Sequence, residues 1–225
     1  MKFRLATRRI LDIVPFQKFV GEFTRQFIIT GADEPFGVNW HEDFIVHLAS
    51  IIRPRVYVEL GLYQCTVFNR IIPYAEQLIG VDISPEAGKY MKKLSKTRFV
   101  NTSTEKFAEE LRTRPIQIDM LFIDADHSRE AILKDFNSFF PFVAPHGLIL
   151  LHDGHPKDEE QMKPGYCGTC YQAIAELSRH TEEYEMMTIP IHPGLTLCRK
   201  RKEQLSWKEN RTSSSIVGFA QKERI

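Results

Sequence analysis

The segment that most constrains the fold is residues 56–68, VYVELGLYQCTVF, in which an apolar run ends in a glycine and opens into an amphipathic run. Five further apolar runs follow it at the spacing of alternating strands and helices. Gly61 stands where the first strand ends, and a glycine there lets the backbone turn sharply and approach a ligand. The sequence therefore predicts an α/β fold whose first strand leads into a ligand-binding turn.

The composition of the 225-residue chain indicates one α/β domain with short extensions at both ends. Hydrophobic residues make up 43% of the chain, which is enough to enclose a full core. The net charge of +1 gives no general attraction to nucleic acid, and no apolar run is long enough to predict a membrane span. We expect an N-terminal helical cap over residues 1–45, the main domain over 46–200, and a polar tail over 201–225.

The cysteines and the N-terminus both indicate a reducing compartment. Four cysteines are too few for a disulfide framework in a chain of this size, so we predict free thiols at Cys65, Cys167, Cys170 and Cys198. The N-terminus lacks the apolar core and cleavage site of a secretory signal, so we expect a cytoplasmic protein. The CxxC spacing of the middle pair would suit a redox or zinc motif, but no second pair completes a zinc site, which favours a plain helix entry.

Apolar and amphipathic runs alternate regularly along the chain. Strands are predicted at 55–60, 78–83, 98–101, 118–123 and 148–151, followed by a hairpin of 186–191 and 195–199. Helices are predicted at 43–52, 65–74, 85–94, 104–111, 128–140 and 167–180. Strands without polar alternation indicate a mostly parallel sheet with helices on both faces, and right-handed crossovers bring the strand C-termini to one edge.

Polar side chains follow every predicted parallel strand at that edge. They are Glu59 after the first strand, Asp82 after the second, Asn101, Thr102 and Ser103 after the third, Asp124, Asp126 and His127 after the fourth, and His152 and Asp153 after the fifth. Asp82 lies 21 positions after Gly61, where a carboxylate can accept hydrogen bonds from the ribose hydroxyls of an adenosine. The alternative is that Asp82 only caps the next helix.

The glycine pattern distinguishes between adenosine cofactors. A dinucleotide requires two further glycines so that its pyrophosphate can approach the backbone, and this chain has Tyr63 and Thr66 at those positions. S-adenosylmethionine has no phosphate and does not require them. The sequence therefore favours S-adenosylmethionine over NAD.

Four stretches of sequence carry a resemblance to a known family. VELGLYQCT is similar to its Glu-x-Gly cofactor loop, GVDIS to its acidic second motif, and DMLFIDADHSREAILKDF with GLILLHD to its fourth and fifth motifs. Over residues 40–200 the chain resembles the class I S-adenosylmethionine-dependent methyltransferases. Within them it resembles the small-molecule O-methyltransferase-like group of the methyltransferase-24 type.

The resemblance implies a Rossmann-like, seven-stranded, mostly parallel sheet of order 3-2-1-4-5-7-6 that ends in an antiparallel hairpin. It also implies an enzyme that methylates a small-molecule acceptor, with no nucleic acid partner and with homo-oligomer formation left open. The cofactor-binding residues that it implies are Glu59, Gly61, Tyr63, Asp82, Ile83, Thr102, Ser103 and Asp124. Cys65 departs from the family, which usually has glycine there.

The carboxylates and histidines at the sheet edge provide two routes for removing a proton from the acceptor. In the first, Asp124, Asp126 and Asp153 hold Mg²⁺ or another divalent metal, with Gly154 standing where metal-dependent relatives often have a further ligand. In the second, Asp124, His127 and His152 are the catalytic residues, and one of the histidines acts as the base.

Two other functions remain open on the same fold. One is a metal-dependent enzyme that does not transfer methyl groups, because a shared fold does not fix the reaction. The other is a cofactor-binding protein without catalysis.

Overall fold

The structure is a computed structural model that describes residues 39–179 and 182–200. Most of the predicted N-terminal cap and all of the predicted tail lie outside the described residues. The first described helix, α1 (Trp40–Ile52), runs across the predicted boundary between residues 45 and 46. The division into a cap, a main domain and a tail therefore stays a prediction.

The described residues form one seven-stranded sheet of order β3-β2-β1-β4-β5-β7-β6. The strands are β1 (Val56–Leu60), β2 (Gln77–Asp82), β3 (Thr97–Asn101), β4 (Ile118–Ile123), β5 (Val143–His152), β6 (Tyr184–Ile189) and β7 (Leu195–Lys200). The first five pair in parallel, and β7 lies antiparallel between β5 and β6. The predicted fold class is confirmed.

The helices after α1 are α2 (Thr66–Ile71), α3 (Ala87–Tyr90), α4 (Thr104–Thr113), α5 (Arg129–Phe139) and α6 (Cys170–Leu177). The first two are shorter than the helices predicted at 65–74 and 85–94. Pro73 follows α2 closely and has no N–H to continue a helix, and α3 ends because Met91 turns to an extended conformation in which it is buried. Ser103 and Ser128 cap α4 and α5 through their side chains.

Helices cover both faces of the sheet. Val58 and Leu60 belong to a core cluster shared with buried residues of α4, α5 and α6. Successive strand residues point to opposite faces, and Tyr57 contacts Phe68 of α2 with ring centroids 6.2 Å apart. The helix α2 therefore lies on the face opposite to α4, α5 and α6. None of the helices in the described residues is long and apolar enough to cross a membrane.

Strand β5 begins five residues earlier than predicted. The residues before 148 form an irregularity inside the strand, since Ile118 pairs with Val143 but Met120 pairs with Leu148. His146 takes a φ of +64° within this bulge. The bulge absorbs three extra residues of β5 and leaves its C-terminal half in register with β4.

The C-terminal ends of the parallel strands lie side by side. Leu60 of β1 pairs with Val81 of β2 and with Ile123 of β4, and Ile123 in turn pairs with Leu151 of β5. This register brings the polar residues that follow these strands to one edge, as the sequence predicts.

Candidate active site

The turn after β1 approaches the end of β4 very closely. Gly61 has a φ of +82°, and a Cβ at this position would lie 2.1 Å from the carbonyl oxygen of Asp124. The Gly61 N–H donates to the Val81 carbonyl at 2.9 Å, and the Asp124 N–H donates to the Leu60 carbonyl at 2.8 Å. Only glycine fits between these strands without displacing backbone.

Three alternate residues of this turn have positive φ angles, which are +82° at Gly61, +45° at Tyr63 and +55° at Cys65. Glycine adopts such angles freely, whereas other residues do so at a cost. Cys65 is fully buried, its thiol donates to the Ala87 carbonyl at 3.3 Å, and burial raises its pKa to about 12. The chain therefore keeps a glycine-type conformation at a position where the family that it resembles usually has glycine. The Tyr63 side chain is 80% exposed and does not fill the turn.

The carboxylate of Asp82 fixes the conformation of the turn. Its Oδ2 accepts hydrogen bonds from the N–H groups of Leu62 at 2.8 Å and Tyr63 at 3.2 Å. Its Oδ1 accepts from the N–H of Ser84 at 2.7 Å. The residue at the N-cap of α3 is Glu86, so Asp82 is not the cap of that helix. It ties the ends of β1 and β2 together at the place predicted for the ribose.

The remaining residues predicted to bind the cofactor lie beside Asp82. Asn101 donates from Nδ2 to the carbonyls of Asp82 at 3.0 Å and Ile83 at 2.9 Å, and the Thr102 N–H donates to the Asp82 carbonyl at 3.1 Å. Ser103 accepts from the Lys106 N–H as the α4 cap. The Ile83 side chain is 76% exposed. An exposed isoleucine thus stands at the edge where the cofactor is predicted to bind.

Glu59 is buried in β1 and accepts a hydrogen bond that the sequence analysis did not predict. The hydroxyl of Tyr57 donates to Glu59 Oε2 at 2.5 Å. Burial, followed by the Glu59 carboxylate, raises the pKa of Tyr57 well above its usual value. The i, i+2 spacing puts both side chains on one strand face, so the sequence contains a signal for this pair.

Four predicted residues form a cluster of two carboxylates and two imidazoles. His152 Nδ1 lies 2.9 Å from Asp124 Oδ1 and 3.4 Å from Asp153 Oδ2. His127 lies with Nδ1 3.0 Å from Asp153 Oδ2 and Nε2 3.4 Å from Asp124 Oδ1. Both histidines therefore bridge the same two aspartates. Asp153 is 4% exposed and has a φ of +59°, and strained backbone of this kind is concentrated at functional sites.

The cluster combines negatively charged aspartates with positively charged histidines. Hydrogen bonds that His127 donates to the Asp124 and Asp153 carboxylates raise its pKa to about 11. Burial disfavours the charged form of His152, but the two carboxylates outweigh it and raise its pKa to about 10. The pKa values of Asp124 and Asp153 lie below their usual range because the histidines outweigh their burial. Near neutral pH both aspartates are ionised and both histidines are protonated.

Asp126 and His155, which follow the same strands, lie outside this cluster. Asp126 Oδ1 accepts from the Ser128 N–H at 2.8 Å, and hydrogen bonds from Ser128 lower its pKa. The N–H of His155 donates to the Pro193 carbonyl in the turn before β7. Among the predicted metal ligands the structure therefore joins Asp124 and Asp153 with His152 rather than with Asp126.

The donor set fits a divalent metal ion. One ligand atom each from Asp124, His152 and Asp153 lie within 4.8 Å of one another, and carboxylate with imidazole is a common ligand combination for transition metals. A side chain at Gly154 would meet Ile174 at 2.7 Å and Thr196 at 2.8 Å. This crowding explains why the position offers no further ligand.

A cavity of about 540 Å³ opens beside the cluster. Residues 125–128 line one side, and Met162, Pro164 and Gly168 from the connection after β5 line the other. The cavity is large enough for a small molecule, and His127 belongs both to its wall and to the cluster.

The chain is similar to known methyltransferases in part of its sequence and in its fold. A family model described as "Methyltransferase domain" matches residues 58–154. The structure superposes on an O-methyltransferase from Bacillus cereus in complex with SAH at a TM-score of 0.62, with 10% identity over 84% of this chain and 94% of the other. It superposes on SAH-bound methyltransferase PaMTH1 from Podospora anserina at 0.59, with 14% identity over 81% and 88%.

The N-methyltransferase NodS from Bradyrhizobium japonicum WM9 is also similar, with a TM-score of 0.56 and 15% identity over 72% of this chain and 95% of the other. No curated protein matches the sequence. These identities establish the fold alone, and the family model adds the domain type. The resemblance to the class I S-adenosylmethionine-dependent methyltransferases is thus confirmed, and residues 58–154 are the part of the chain that matches the methyltransferase domain model.

Proposed function

We propose that this protein is an S-adenosylmethionine-dependent methyltransferase that acts on an oxygen atom of a small molecule with the assistance of a divalent metal ion. The observation that carries the proposal is the close meeting of the β1 turn with the end of β4. There the backbone of Asp124 touches Gly61, and its side chain belongs to the cluster. A cofactor at the turn and an acceptor at the cluster would therefore be neighbours.

The adenosyl cofactor would lie over the ends of β1, β2 and β3. Asp82 supplies carboxylate oxygens for the ribose hydroxyls, and Thr102 and Ser103 lie beside it for the adenine. Exposed Ile83 offers an apolar surface on which an adenine ring can pack, and burying it would favour binding. Glu59 and Gly61 would border the methionine part, next to Asp124.

The acceptor would occupy the cavity beside His127. Methyl transfer is an in-line displacement at a carbon activated by the sulfonium, so the protein must align the two partners and handle one acceptor proton. Without a metal, His127 and His152 are protonated near neutral pH and are not ready bases. A divalent ion bound at Asp124, Asp153 and the deprotonated form of His152 would supply the missing function by lowering the pKa of an acceptor hydroxyl.

Calorimetry with S-adenosylmethionine tests the cofactor part of the proposal. We expect the full chain to bind it and Ile83→Ala to weaken binding about tenfold, which corresponds to about 1.4 kcal/mol of lost apolar contact. Ile51→Ala is the matched control, because Ile51 is 63% exposed on α1 and should leave affinity unchanged. An absence of binding by the wild type would refute the assignment.

Titration with Mn²⁺ in the absence of cofactor tests the metal part. Asp153→Asn should abolish binding because it removes a buried ligand, whereas Asp126→Asn should retain it because Asp126 lies outside the cluster. Equal effects of the two variants would contradict the metal site. Full methyl transfer activity after exhaustive chelation would show that the reaction does not need the ion.

Mass spectrometry of reactions with hydroxylated and amino compounds identifies the atom that is methylated. A gain of one methyl group on hydroxyl compounds only is the expected result. Cofactor binding without any transfer would favour a binding protein, and metal binding without cofactor binding would favour a non-methylating enzyme.

We also propose a cytoplasmic location, which is supported by the four cysteines, all of them free and buried.

A further inference from the structure

The turn formed by residues 166–169 contacts His127 at several successive positions. The Tyr166 carbonyl oxygen lies against His127 Nδ1. A Cβ on Gly168, whose φ is +59°, would lie 2.3 Å from the His127 carbonyl oxygen. The Thr169 N–H donates to that same oxygen at 2.9 Å. Both the ring and the backbone of His127 are therefore held by this turn.

The other contacts of the turn reach the residues on either side of His127. The Thr169 hydroxyl accepts from the Arg129 N–H at 2.7 Å, at the first residue of α5. Cys167 is buried, and burial, followed by the charge of the Asp153 carboxylate, raises the pKa of Cys167 to about 12. A thiol that stays protonated is not a redox nucleophile.

We propose that residues 166–169 are a positioning element that holds His127 between Asp124 and Asp153. The small residues of the Cys167–Cys170 motif have separate roles in it. Gly168 permits the close backbone approach, Thr169 holds the backbone of His127 and Arg129, and Cys170, the first residue of α6, packs into the core. The inference rests on the proposed function only for the part His127 plays in catalysis.

Two glycine substitutions in the same connection provide a matched test. Gly168→Ala must push the His127 backbone away, whereas Gly165→Ala meets nothing within 4 Å although its φ is also positive at +89°. Both variants place a Cβ on a residue with positive φ, but only Gly168→Ala brings that Cβ against His127.

The readout is the pair of ring N–H proton resonances of His127 in the full chain, recorded by NMR without cofactor or metal and assigned with His127→Gln. We expect both resonances in the wild type and in Gly165→Ala, because both ring nitrogens face carboxylates. In Gly168→Ala we expect the Nδ1 proton resonance to be lost to exchange with solvent. An unchanged resonance in folded Gly168→Ala, or an equal loss in both variants, would overturn the proposal.

A second pair of variants decides the question if Gly168→Ala does not fold. Thr169→Ser keeps the hydroxyl that accepts from the Arg129 N–H, and Thr169→Val removes it. The His127 resonances should survive in the serine variant and be lost in the valine variant, and survival in both would overturn the positioning role. Because the measurement needs no methyl transfer, its failure is distinct from failure of the proposed function.

Discussion

Tyr63 and Cys65 should respond in opposite directions to replacement by glycine, although their backbones are alike. Their φ angles are +45° and +55°, and the left-handed conformation costs a non-glycine residue roughly 1 to 2 kcal/mol. Glycine removes that cost but loses about 0.5 to 1 kcal/mol of backbone entropy on folding. The backbone alone therefore predicts a gain between about 0 and about 1.5 kcal/mol at either position.

The side chains determine the sign of the total. Tyr63 is 80% exposed, so its ring contributes little to the free energy of unfolding, and Tyr63→Gly should stabilise by about 0.5 to 1 kcal/mol. Cys65 is fully buried and its thiol donates to the Ala87 carbonyl. Losing this burial and hydrogen bond costs roughly 2 kcal/mol, so Cys65→Gly should destabilise by about 1 kcal/mol.

Urea unfolding of six variants measures these contributions separately. Alanine and glycine are each placed at Tyr63, at Cys65 and at Glu109, an exposed residue inside α4. The step from alanine to glycine should stabilise at the first two positions and destabilise by about 1 kcal/mol at Glu109. If that step destabilises at Tyr63 as much as at Glu109, the turn does not hold a left-handed backbone there, and the reasoning fails.

Three further predictions concern stability. Burial raises the pKa of Asp135 to about 6, so its ionisation is disfavoured in the folded state. Asp135→Asn should therefore stabilise the fold by about 2 to 3 kcal/mol at pH 7.5 but not at pH 4. Equal effects in urea titrations at both pH values would contradict this. His152 has a pKa of about 10 in the folded state, so the stabilisation that it provides is complete below its unfolded pKa of about 6.5 and is lost as pH rises towards 10. His152→Gln should make the fall in the free energy of unfolding over this range shallower by up to about 1.4 kcal/mol per pH unit. A wild-type stability that is flat over this range would argue against the cluster. Ser103→Ala should cost about 1 kcal/mol by removing the α4 cap, measured by thermal unfolding against Ser95→Ala as a loop control.

The strands and the cluster could be predicted because each depends on a local signal. Apolar runs place β4 without error and the other strand ends near the cluster within a residue, and parallel pairing then collects the residues that follow them. The position of Asp126 could not be predicted, because one peptide unit decides whether a carboxylate points to the cluster or turns back to the Ser128 N–H. The contacts of residues 166–169 with His127 could not be predicted either, because contacts between residues about 40 positions apart leave no periodic pattern in the sequence.

The residue that links the two halves of the proposed site is Asp124. Its carbonyl oxygen lies where a side chain on Gly61 would stand, and its carboxylate accepts from His152. Any shift of the β1 turn caused by a bound adenosyl group would therefore reach the cluster through one backbone segment of β4. Because the turn itself is fixed by Asp82, an exchange of that carboxylate should disturb cofactor affinity and cluster geometry together, whereas Ile83→Ala should affect affinity alone. Variants of Asp82 and Ile83 would therefore distinguish the binding of the cofactor from the geometry of the cluster.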